Sequence, residues 1–212
     1  MLEQIINNFY FSRLLYIIII TLIGLEVINN LKSKNKIDIK KYLNIKKINL
    51  SLLLKYLFLS FAVRIVLEQL VIYISLKPTN LQIPSNIYEI ILEFIAICIF
   101  APIFEEIIFR FGFYKKLNER LNVLVSILIT AIIFAVIHMY NIDGIIILLG
   151  ISLIWHYSFY KTNNLIYPIL LHFFHNIYAL GCDINNYSSY WYILLLINIV
   201  GYIILIVRKQ KK

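Results

Sequence analysis

Residues 90–114 read IILEFIAICIFAPIFEEIIFRFGFY. Glu105, Glu106 and Arg110 interrupt a run otherwise dominated by isoleucine and phenylalanine. A helix needs about 20 apolar residues to cross the hydrocarbon of a bilayer. This stretch is long enough, so it reads as a transmembrane helix that carries three charges at depth. Ionisable groups in that setting face a bundle interior or a water cavity, and they are retained for a partner or a task.

The rest of the chain agrees with a membrane setting. Of its 212 residues, 61% are apolar and 15% charged, with a mean hydropathy of +0.83. A soluble domain averages about 45–50% apolar and about 25% charged. The net charge of +9 is concentrated. Lys32, Lys34, Lys36, Lys40, Lys41, Lys46 and Lys47 fall between two apolar runs, and Arg208, Lys209, Lys211 and Lys212 form a tail. Basic residues bunched beside apolar spans orient a membrane protein. No aromatic-interleaved basic motif points to nucleic acid. Cys98 and Cys182 imply no disulfide framework. The N-terminus lacks a basic n-region and a small-residue cleavage site, and is read as a first span. Heavy use of Ile, Lys, Asn and Tyr suggests an AT-rich, bacterial genome.

The expected fold is all-α, a polytopic helix bundle. Seven segments are apolar and long enough, at about 9–28, 51–76, 87–114, 121–140, 143–160, 163–181 and 189–207; six or eight spans are the alternatives. Every second connection is basic, which predicts an N-terminus outside and a C-terminus inside a bacterial plasma membrane. Residues 1–86 supply two N-terminal helices and a basic cytoplasmic loop. Residues 87–181 form the core with the polar motifs, and 182–212 a last helix and basic tail.

Arg64 and Glu68, four apart, can neutralise each other. Glu89 and Glu93 lie near the outer end of span three and are expected to reach the interface. Glu106 and Arg110, also four apart, can pair within one helix, which leaves Glu105 about 100° round. A leftover carboxylate becomes a candidate general base once it has a water and a partner. The histidines supply partners. FAVIH (134–138) ends span four with His138, and HFFHN (172–176) puts His172 and Asn176 one turn apart on span six. Glu105 and His138 each lie about 24 Å along their helices from the 121–122 bend, so they are level. Pro102 and Pro168 are expected to bend their helices near the motifs.

Glu-Glu-x-x-x-Arg at 105–110, Phe-x-x-x-His at 134–138 and His-x-x-x-Asn at 172–176, in that order, resemble the CAAX protease and bacteriocin-processing (CPBP, or Abi) family of intramembrane endopeptidases. The resemblance implies Glu105 as general base and His138 as the residue that holds the attacking water with it. It implies His172 and Asn176 as oxyanion donors, with Glu106 and Arg110 bracing the motif. Phe111 stands where the family often has a glycine. The resemblance fits either a metal-free, glutamate-dependent enzyme or a metalloprotease; no metal cofactor is the favoured expectation, and zinc held by Glu105, His138 and His172 is the alternative. The expected partners are the bilayer and a membrane-associated, lipidated or peptide substrate, with no nucleic acid. Two other readings stay open at this point: a non-catalytic bacteriocin-immunity or partner-binding protein, and a proton-coupled transporter.

Overall fold

The computed structural model describes residues 8–35, 38–74, 84, 86–138 and 141–185. The seventh expected span and the basic tail lie outside them. The described elements are all helical. They are α1 (Phe9–Asn35), α2 (Leu50–Tyr73), α3 (Ile87–Asn118), α4 (Val123–Ile137), α5 (Ile142–Thr162) and α6 (Ile166–Asn185).

Asparagines set many of the helix ends. The side chains of Asn49, Asn86 and Asn122 accept from the backbone N–H of Leu52, Glu89 and Val125 at the starts of α2, α3 and α4, each satisfying one orphan donor. Asn163 ends α5 in the left-handed region at φ 49°, a conformation asparagine tolerates better than most residues. Pro168 falls in the first turn of α6, where its missing N–H is not needed. It therefore lies at the opening of that helix and not within its interior.

Among the described residues, α1, α2, α3 and α5 are long and apolar enough to cross a membrane. α4 is the correction. The apolar run 121–140 reads as a span, but its helix has 15 residues and rises about 22 Å, short of about 30 Å of hydrocarbon. It stops at His138, which caps it. α4 sorts its faces cleanly: Leu124, Leu128, Ile132 and Val136 are exposed at four-residue intervals, while Ser126, Ile127, Thr130, Ala131, Phe134 and Ala135 are buried. The exposed row suits lipid.

α5 sits centrally. Its Leu148, Ile151 and Trp155 join Leu53, Tyr56 and Phe61 of α2, Phe134 of α4 and Leu171 of α6 in one core. A second core of Leu31, Ile107, Phe111, Ile127, Phe159 and Leu165 closes one end. At that end the basic connections meet. Leu165 N–H donates to Tyr42 O at 2.7 Å, Asn164 Nδ2 to Asn44 O at 2.9 Å, and Lys115 Nζ lies 3.2 Å from the Tyr42 ring centre. α1 runs alongside α3 in the same direction: Tyr10 bonds Asn86, Gly24 lies against Phe104, and Val27 against Gly112. A Cβ on Gly112 would sit 2.7 Å from a Val27 methyl, so glycine is what lets the two helices touch there.

Candidate active site

The polar motif of α3 sits between two stretches of π-helix. Residues Phe94–Phe100 and Ile107–Phe113 flank the α-helical Ala101–Glu106. Such bulges are frequent at functional sites. Pro102 explains a consequence of the first. Ala101 N–H bonds back to Ala96 O. In the same register Ile97 O would take the N–H of residue 102, and proline has none. Asn176 of α6 fills the gap, its Nδ2 donating to Ile97 O at 2.5 Å. The proline thus leaves a carbonyl that draws α6 to α3.

Glu105 is buried at 5% exposure. Its Oε1 accepts from Tyr16 OH of α1 at 2.6 Å, so it is not the unpartnered group its spacing suggests. Its Oε2 is buried, accepts no hydrogen bond, and lies 3.6 Å from His138 Nε2 and 3.9 Å from His172 Nε2. The level placement expected of Glu105 and His138 is found.

The other nitrogen of each ring fixes its orientation. His138 Nδ1 lies 2.6 Å from Phe134 O, and a carbonyl can only accept. His172 Nδ1 lies 2.9 Å from Glu106 Oε1, and the other oxygen of that carboxylate faces Arg110. Both Nδ1 atoms therefore donate, and in the neutral rings both Nε2 lone pairs turn toward Glu105 Oε2. Three acceptor atoms face one small space, at separations too long for direct hydrogen bonds. A water, with two donors, fits such a place.

Behind this space stands a rigid wall. Glu106 Oε2 and Arg110 Nε are 2.9 Å apart, both side chains fully buried. Arg110 Nη2 donates to Ser152 Oγ at 2.9 Å, and the guanidinium lies over Phe134 at 4.4 Å. Trp155 stacks on His172 with ring centres 4.4 Å apart and planes at 23°. Phe134 meets the same imidazole edge-on at 5.9 Å.

Other buried polar groups lie outside this arrangement. Arg64 pairs with Glu68 at 2.8 Å, as their spacing predicts. His175 stacks on Phe61 and shares a hydrogen bond with Ser60 at 2.9 Å. His156 Nδ1 bonds Ser152 O at 2.9 Å. Glu93, expected at the interface, is instead buried and paired with Arg13 of α1. Tyr16, Trp155, Ser152 and Arg13 carried no signal in the sequence beyond residue type. Phe134 was legible only as a motif position.

Residues 87–178 match the family model described as type II CAAX prenyl endopeptidase Rce1-like. That segment holds the Glu-Glu pair, Arg110, both ring nitrogens that face Glu105, and Asn176. Over that segment, 92 of its 212 residues, the chain resembles a CAAX-family intramembrane protease. No curated protein and no solved structure matches it. That family cleaves peptide bonds, and the matched segment runs from the start of α3 to Tyr178 of α6. α1 and α2 lie before it, yet α1 reaches Glu105 through Tyr16.

The zinc alternative can be tested on the donor set. Zinc takes N and O donors at about 2.0–2.2 Å in a tetrahedron. Among the described residues, no three His, Cys, Asp or Glu side chains form a group that could hold a metal ion. Glu105 Oε2 lies 3.6 and 3.9 Å from the two imidazole nitrogens, and the steps below are written with side chains and water.

Proposed function

We propose that this chain is a CAAX-type protease that hydrolyses its substrate with a water held between Glu105 Oε2 and His138 Nε2. The observation that carries this reading is the buried Glu105 Oε2, which has no hydrogen bond and faces two imidazole nitrogens. The water donates one proton to Oε2 and the other to His138 Nε2. Glu105 takes its proton as the oxygen attacks the scissile carbonyl, and later hands it to the leaving amine. The second Nδ2 hydrogen of Asn176 serves the oxyanion, its first being held by Ile97 O. His172 donates there from Nε2 when that atom carries a proton. Glu106 and Arg110 orient His172 and do no chemistry.

The substrate class follows from the setting: a peptide held at or in the bilayer, with an apolar or lipidated end. A cleft of about 160 Å³ supports this, lined by Cys98, Ile99, Pro102, Ile103, Ile169, Leu170 and Phe173 on the flank of α3 and α6. The N-terminus is outside and the joined basic connections are cytoplasmic. Proteomics of membrane peptides from cells with wild-type or Glu105→Gln protein tests the reading. Gln keeps an acceptor for Tyr16, so the variant folds, and the cleavage products disappear. Unchanged products from the variant would end the proposal.

A further inference from the structure

The structure assigns Tyr16 a role as positioning residue for Glu105, resting on the reaction proposed above. A glutamate carboxylate turns easily about its last torsion, which is broad and nearly two-fold. Its two oxygens are then equivalent, and either can face the rings. Here they differ. Oε1 is occupied by the Tyr16 hydroxyl at 2.6 Å, and Oε2 faces His138 and His172. The phenol O–H to carboxylate bond is short and charge-assisted, so it fixes which oxygen meets the water.

The tyrosine is itself held. Arg13, one turn before it on α1, pairs with buried Glu93 of α3 and lies over Phe9 at 5.2 Å. Further along, Gly24 and Gly112 bring the same two helices into contact. α1 otherwise has little grip on the bundle: of its most apolar 18 residues, 6% are buried. Beside the glycine contacts and Leu31 in the second core, polar contacts attach it to α3, and one of these is to the general base. A helix outside the family-matched segment thus completes the site.

The test compares wild type, Tyr16→Phe, Glu105→Gln and the double variant, each as the full chain in lipid nanodiscs. One readout is cleavage of a quenched fluorogenic peptide with a farnesylated Cys-a-a-X end. The other is the infrared carboxylate band, which needs no turnover. Tyr16→Phe is expected to lower kcat about 10- to 100-fold with KM unchanged, the effect of losing a hydrogen bond to a charged group. It is also expected to shift a carboxylate band, and that shift should be missing when Glu105→Gln is the background. Wild-type kcat in Tyr16→Phe, or an unmoved band, overturns the positioning role while leaving Glu105 as base. Should the peptide be cleaved equally by wild type and Glu105→Gln, the base assignment fails, and the infrared comparison still decides the Tyr16 contact.

Discussion

Glu106 has two tasks that its position beside Glu105 does not reveal. One oxygen meets Arg110 and the other receives His172 Nδ1–H. The carboxylate therefore couples a fully buried cation on its own helix to a ring on another. Glu106→Gln keeps an acceptor for His172 but leaves Arg110 without an anion. Removing one partner of a buried pair is expected to destabilise by about 3–5 kcal/mol. Denaturant or thermal titration of the purified protein in detergent reads this directly. Stability within about 1 kcal/mol of wild type would mean that Ser152 and the Phe134 and Trp155 rings hold the guanidinium unaided.

At the level of elements, the π-helical turn before Glu105 links packing to chemistry. Its geometry and Pro102 together orphan the Ile97 carbonyl, and Asn176 answers it. Asn176 thus has a structural task beside its proposed catalytic one, and the two can be separated. Asn176→Ala is expected to lose about 1–3 kcal/mol of stability, as for any unsatisfied buried carbonyl, and about 10²–10³ in rate as an oxyanion donor. Adding Pro102→Ala gives residue 102 an N–H for Ile97 O. Stability should return in the double variant while the rate stays low. Recovery of both would show that Asn176 acts only by fastening α6 to α3.

For the whole molecule, the alternation of basic and neutral connections agrees with which connections meet. The segments around Tyr42, Lys115 and Asn164 lie together at one end, as a regular up-and-down path requires, and α1 and α3 run the same way. The positive-inside rule then predicts that this end is cytoplasmic. In a chain lacking Cys98 and Cys182, cysteine at Lys116 should react with an impermeant maleimide only after the membrane is opened. Cysteine at Ile142, exposed at the start of α5, should react in intact cells. The reverse pattern would invert the molecule.

The sequence alone determined the all-helical membrane class and singled out Glu105, His138, His172 and Asn176 as the candidate set. These depend on local properties: runs of apolar residues, charges too costly to leave in lipid without a reason, and spacings of one turn. The approach of Glu105 to His138 was also legible, because one short turn joins their helices and fixes their relative depth. Tyr16 on Glu105, Trp155 on His172, Arg13 on Glu93 and Asn176 on a backbone carbonyl were decided only by tertiary structure. Core and lipid are equally apolar, so hydropathy does not say which way a membrane helix is turned. That rotation, set by close contacts such as Gly112 against Val27, chooses which side chains of distant helices meet.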